Sequence, residues 1–131
     1  AALKLLGIPY VFGAEWADYG LIPKALDCSE LVEGVYVSNG LRCPDGSQNQ
    51  HDFFEPTATP KEGDLAFFAR GGNAKQIYHV GMVVNKIEII EARGWQPGSN
   101  FETGKVILRP RFAWEHYLPQ FVGYRSHPKL V

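Results

Sequence analysis

The chain has 131 residues, 45% of them hydrophobic and 21% charged, with a formal net charge of −1. That is enough apolar material for one folded core, which excludes a disordered polymer, and it supplies no basic field, which argues against a nucleic-acid role. No apolar run is long enough to cross a bilayer, residues 1–6 are too short for a secretory signal, and there is no initiator Met, so residues 1–131 are expected to form a single domain cut from a longer protein.

Residues 1–6 read as the last turns of a helix, which Gly7-Ile8-Pro9 stops. Residues 10–13 are a short aromatic extended stretch, and 14–26 a polar, irregular surface loop. A helix is expected from Asp27. With Asp27 as N-cap, Cys28 as first residue and Glu30 at the third position, the pattern is that of a capping box. Leu31, Val32, Val35 and Tyr36 recur with helical spacing as a buried stripe, and Asn39-Gly40 ends the helix. Pro44 and Gly46 mark a turn, 48–54 a short second helix, and 56–63, rich in Pro and Thr, a connector. The pattern then turns extended. Strands are predicted over 64–69, 77–84, 86–92, 106–109 and 121–125, with Asn85-Lys86 as a hairpin junction. Helices first and strands after is the order of an α+β domain, and the links are too short for helical crossovers, which makes the sheet antiparallel.

One group of residues carries chemistry. A thiolate near neutral pH is favoured at a helix N-terminus, where free N–H groups and the dipole stabilise the anion, and Cys28 falls at such a place. The same N–H groups can hold the oxyanion on an attacked carbonyl. The base is expected to be a histidine. Of His51, His79, His116 and His127, only His79 interrupts an apolar strand, where a polar residue needs a reason; His116 and His127 sit among exposed-looking residues, and His51 on a surface turn beside Asp52. Glu91, on the neighbouring strand of the hairpin, is the candidate to orient the imidazole. The alternative for Cys28 is a structural thiol or a disulfide to Cys43, the only other cysteine; Cys43 is read as structural and free.

These residues fall into a series. Gly7-Ile8-Pro9-Tyr10-Val11-Phe12-Gly13, then Leu26-Asp27-Cys28-Ser29 followed by Leu31-Val32, then Ser47 and Gln50, then Glu62-Gly63-Asp64-Leu65-Ala66-Phe67-Phe68, then His79-Val80-Gly81-Met82 resemble, in order, the motifs of the NlpC (NlpC/p-sixty) family of bacterial cell-wall cysteine peptidases. The resemblance implies a compact papain-like α+β fold, with N-terminal helices on a central sheet of about five strands. It implies Cys28 as nucleophile, His79 as base, and a third catalytic position, often His in the family, that falls here on Glu91. It places Tyr10 beside the thiol, with its hydroxyl available to the oxyanion, and assigns Asp27 and Ser29 to the free amine of a peptidoglycan stem peptide. Ordinary aromatic packing for Tyr10, capping for Asp27 and a plain helix-start role for Ser29 stand beside those assignments. The family implies γ-D-glutamyl-diamino acid bonds, or neighbouring peptide links, as the target, no cofactor, and an extracellular, cell-envelope or virion-associated location. A monomer is the favoured state.

Several residues depart from the pattern. Phe12 stands for Trp, Ala14 for a second Gly, and Glu30 for Gly. A carboxylate two residues past the thiol opposes thiolate formation unless it points to solvent. The segments 13–27 and 93–105 are longer than usual and are expected to border the cleft. These departures motivate two other readings: a non-catalytic module of the same fold in a phage tail or cell-surface assembly, and an amidase or acyltransferase. Trp16, Trp95 and Trp114 offer stacking surfaces for sugar, although core or loop packing is the commoner fate. Arg70 and Arg93 offer guanidinium groups to a substrate carboxylate, with a solvated loop charge the commoner reading. His51, Asp52 and Glu55 lack a second ligand pair, so no metal is expected there.

Overall fold

The structure is a computed structural model that describes residues 2–16, 18, 21–94 and 104–129. A 3-10 helix (Ala2–Leu5) opens the chain where a helix end is predicted. Helix α1 (Cys28–Ser38) follows the loop. Its stripe Leu31, Val32 and Tyr36 is buried, and burial of each such side chain stabilises the fold by about 1.5–3 kcal/mol. Its last turn closes through Leu41 N–H on the Tyr36 carbonyl, with Gly40 at φ 80°, a left-handed conformation that glycine adopts without a Cβ clash. Gly34 lies inside α1, where glycine costs about 1 kcal/mol; a Cβ there would collide with the indole of Trp16, so the gap seats the loop on the helix.

Helix α2 (Ser47–Phe53) leads into β1 (Glu55–Thr57), β2 (Leu65–Ala69), β3 (Ile77–Val83), β4 (Glu88–Arg93) and β5 (Lys105–Pro110), then α3 (Arg111–Glu115) and β6 (Phe121–Ser126). The strands form one antiparallel sheet in the order β1-β6-β2-β3-β4-β5. The five predicted strands are present within two residues. Strand β1, helix α3 and a 3-10 turn at Arg70–Gly72 are additional. Strand β1 lies in the stretch assigned to a connector; Pro56 has no N–H for a ladder, so its segment is confined to the edge, paired with β6 alone. Helix α3 is five residues long, below the length at which periodicity is legible.

The two faces of the sheet carry separate cores. Val80, Met82, Ile90 and Ala92 pack with Leu31 and Val32 of α1. Ala66, Phe68, Val83 and Ile89 pack with Trp114 and Tyr124. Among the described residues no helix is long and apolar enough to cross a membrane.

Candidate active site

Cys28 is the first residue of α1, partly exposed and free, and Cys43 is free and buried, so the disulfide alternative is overturned. Burial, followed by neighbouring carboxylates, pushes the Cys43 thiol up to about 12, which keeps it protonated and inert. Asp27 caps the helix as predicted: its Oδ1 accepts from Glu30 N–H at 2.8 Å. The same oxygen accepts from the Ser29 hydroxyl at 3.2 Å, and Oδ2 accepts from Gly13 N–H at 3.2 Å. One carboxylate thus fixes the start of the helix, the serine beside the thiol and the loop opposite.

Glu30 corrects a prediction. It is not the returning half of a capping box; its carboxylate is buried and accepts from Trp16 N–H at 2.7 Å. Burial first, offset by that hydrogen bond, and then the charges of Glu15, Asp45 and Asp27 raise its pKa. The carboxylate is buried and engaged by the loop instead of pointing to solvent. Helix α2 supports the same turn from below, since Gln50 Nε2 donates to the Ser29 carbonyl at 2.9 Å and to the Pro44 carbonyl at 3.0 Å.

The imidazole arrives from the sheet. His79 on β3 lines the same cavity as Cys28, and its Nε2 lies 2.7 Å from Glu91 Oε1. With Nε2 engaged by the carboxylate, Nδ1 is the ring nitrogen left for the sulfur. The ring stacks on the indole of Trp114, with centroids 5.3 Å apart and planes 18° apart. Gly81, two residues on, makes room for that indole: a Cβ there would lie 2.7 Å from both Ile89 and Trp114. The glycine of the His-Val-Gly-Met motif is therefore a seat for the ring that backs the histidine.

Glu91 is 0% exposed, and each of its oxygens accepts twice. Oε1 takes His79 Nε2 and Arg109 Nη2 (2.8 Å); Oε2 takes Arg109 Nε (2.5 Å) and Trp114 Nε1 (3.1 Å). A buried carboxylate persists only when its lone pairs are filled. Burial alone would raise the Glu91 pKa, but the hydrogen bond and charge of His79, then those of Arg109, hold it down at about 2. Burial alone would lower His79, but its bonds to Cys28 and Glu91 and their charges raise it to about 9. Arg93, the partner weighed for Glu91 from the sequence, is only an outer contact at 3.7 Å.

Tyr10, Cys28, Tyr78, His79, Arg93 and Tyr117 are among the residues around a cavity of about 310 Å³. Tyr10 is held beside the thiol by backbone bonds to Gly104 and by a bridge to Leu26. Burial, then the charges of Cys28 and Asp27, raise its pKa, so its hydroxyl stays a donor. Of the six predicted site residues, Tyr10, Cys28 and His79 line the cavity, Glu91 is bonded to His79, and Asp27 and Ser29 flank Cys28 in the chain.

Two further residues of the site, Arg109 and Trp114, are missed from sequence. Arg109 had a signal: a cation on a strand of Val106, Ile107 and Leu108 needs a buried partner. The other histidines correct the reading as well. His51 is 4% exposed on α2, edge-on to Phe67 at 5.1 Å, with Nδ1 3.0 Å from Asp52. His127 is 1% exposed, stacked on Tyr36 and bonded through Nε2 to the Arg42 carbonyl at 2.7 Å. Both are packing residues. Of the tryptophans, Trp114 is core, Trp16 seats the loop, and Trp95 lies outside the described residues.

Known proteins share this arrangement of elements. The bifunctional muramidase/DL-endopeptidase CwlT of Bacillus subtilis is 37% identical over 87 residues, covering 63% of this chain and 24% of that protein. The peptidoglycan endopeptidase RipB of Mycobacterium tuberculosis is 29% identical over 114 residues, covering 80% and 43%. The chain spans less than half the length of these curated relatives. Among solved structures, an NlpC/P60 family protein from Bacillus cereus superposes with a TM-score of 0.73 at 23% identity, covering 96% of this chain and 37% of that one. The NlpC/p60 domain of the peptidoglycan hydrolase SagA gives 0.68 at 26%, covering 95% and 92%. The model of the NlpC/P60 family matches residues 7–104, more than half of the chain, and the chain belongs to that family.

Proposed function

We propose that this chain is the cysteine endopeptidase domain of a longer cell-wall hydrolase, cutting peptide bonds in peptidoglycan stem peptides with Cys28, His79 and Glu91. The observation that carries the reading is the buried Glu91 carboxylate bonded to His79, whose ring lines one open cavity with a free cysteine at a helix start. In this mechanism Cys28 Sγ, its proton already transferred to His79, attacks the scissile carbonyl. Asp27 already engages Glu30 N–H through its side chain and Leu31 N–H through its carbonyl, which leaves the N–H groups of Cys28 and Ser29 as the first-turn donors for the oxyanion. Tyr10 adds a hydroxyl donor on the cavity wall. His79 then protonates the leaving amine, Glu91 stabilising the imidazolium, and later deprotonates the water that hydrolyses the thioester.

The relatives support the substrate class: RipB is named a peptidoglycan endopeptidase and CwlT a DL-endopeptidase. The bond proposed is γ-D-glutamyl-diamino acid or its neighbour in the stem, and the proposed location is the cell envelope or the extracellular space. Glu30, which motivates the alternative of a non-catalytic module, is engaged by Trp16 and lends that alternative no weight. Digestion of purified peptidoglycan and defined muropeptides, read by mass, tests the proposal. New stem-peptide fragments with free amine termini are expected from the native chain and none from Cys28→Ala; undiminished cleavage by Cys28→Ala would refute it.

A further inference from the structure

Glu91 does not meet His79 alone. Its register partner on β5 is Ile107, and Arg109 lies two residues further on the same face of that strand, which brings its guanidinium diagonally onto the carboxylate. The fork closes on both oxygens, and Trp114 Nε1 takes the remaining position on Oε2. The Arg109 guanidinium also lies over the Trp114 ring, 5.1 Å from its centroid, and that ring stacks on His79. A carboxylate held by a bidentate fork and an indole has no freedom to rotate. Outside this clamp, Oε1 faces His79 Nε2 at 2.7 Å, with Arg93 as an outer contact at 3.7 Å.

We propose that Arg109 is a positioning residue for the imidazole: with Trp114 it fixes the plane of Glu91 so that one oxygen faces His79, and its charge limits how firmly that carboxylate holds the ring proton. The proposal rests on the Cys28–His79–Glu91 reading and adds to it the group that sets the strength of the third member. A general acid that must return its proton to a leaving amine works best when that proton is not held too tightly. A fully buried carboxylate facing an imidazole without a counter-charge would hold it tightly. Arg109 shares the carboxylate's charge and limits this. The other charged or titratable groups around His79 among the described residues are Tyr10 from the N-terminal loop, Cys28 from α1, Arg93 from β4, Tyr78 from its own strand, and Tyr117 after α3. None of them engages both oxygens of Glu91.

The test combines a proton readout with turnover. In the 131-residue chain with 13C-labelled histidine, the His79 ring resonance is identified by its loss in His79→Gln and followed against pH by NMR. Arg109→Met is expected to move the His79 midpoint upward by about one pH unit, and to lower kcat on muropeptides by about 100-fold with little change in KM. Arg109→Lys keeps a charge in the buried site but not the fork; it is expected to leave the midpoint near that of the native chain while lowering kcat by about tenfold. The lysine variant also serves as the measurement if the methionine variant does not fold. A folded Arg109→Met chain with an unmoved His79 midpoint overturns the proposal, as does an Arg109→Lys chain with native turnover. The midpoint needs no substrate. If Cys28→Ala still digested peptidoglycan, the nucleophile would be refuted, while the effect of Arg109 on His79 would be measured independently.

Discussion

The two halves of the site are built differently. The cysteine half is local: Asp27 caps Glu30 three residues away and bonds Ser29 two residues away, and the thiol is partly exposed. The histidine half is assembled from distant parts of the chain. Glu91 is bonded to residues 12, 18 and 23 positions away, and its carboxylate is wholly buried. A local cap suits the proposed nucleophile, which must stay accessible. The orienting carboxylate must stay ionised out of water, which takes donors from three separate elements. Damage to the first half should therefore appear in activity more than in stability, and damage to the second in both.

The largest expected effect is on catalysis at the local half. Cys28→Ala should lower muropeptide hydrolysis by at least about 1,000-fold and leave the circular dichroism and Tm near those of the native chain, because the thiol is not part of a sealed core. A large fall in Tm would blur the distinction between the halves. Next is the buried half. Glu91→Ala leaves Arg109 buried without its carboxylate and should destabilise the fold by about 3–5 kcal/mol, read by urea unfolding, with hydrolysis reduced as well. A stable Glu91→Ala chain would show that the clamp is not structural.

The same pair gives a pH signature. His79 holds its proton more tightly folded than unfolded, so its contribution to stability is complete below about pH 6.5 and fades as the pH rises toward about 9. Glu91 holds its charge more tightly folded, so its contribution is complete above about pH 4.5 and fades as the pH falls toward about 2. Tm measured against pH should be highest between those two limits, and His79→Gln should flatten the alkaline fall. A smaller effect is expected at the cap. Asp27→Ala should cost about 1 kcal/mol, while also releasing Ser29 and Gly13 beside the thiol, so hydrolysis should fall more than stability does. The smallest is Glu30→Gln. The amide oxygen can still accept from Trp16 N–H, and the loss of a buried charge next to Asp45 and Asp27 offsets any weakening of that bond, so Tm at pH 7 should change by less than about 2 °C.

The histidines mark where reading from sequence succeeds and where it fails. His79 stands out because it interrupts an apolar strand opposite a predicted partner. His51 and His127 sit in polar surroundings and read as exposed, yet each is sealed by aromatic rings from other segments: Phe67 for His51, and Tyr36, Phe53 and Phe54 for His127. Burial by distant rings leaves no mark on local polarity. Glu30 fails for a related reason. Its spacing from Asp27 fits a capping box, but the loop residue Trp16, fourteen positions away, reaches its carboxylate and draws it from the helix end.

By itself the sequence determined the family, through its resemblance in a series of motifs, and the antiparallel α+β order and the cap at Asp27, because periodicity and capping are legible within a short window; it also put forward Cys28 and His79 as the candidate sulfur and imidazole. Only the tertiary structure decided how the carboxylate is sustained. The pairing of β4 with β5 and the docking of Trp114 onto Gly81 bring Arg109 and an indole N–H onto Glu91. A charge removed from water is stable only where several donors converge on it, and such convergence is a property of the folded sheet.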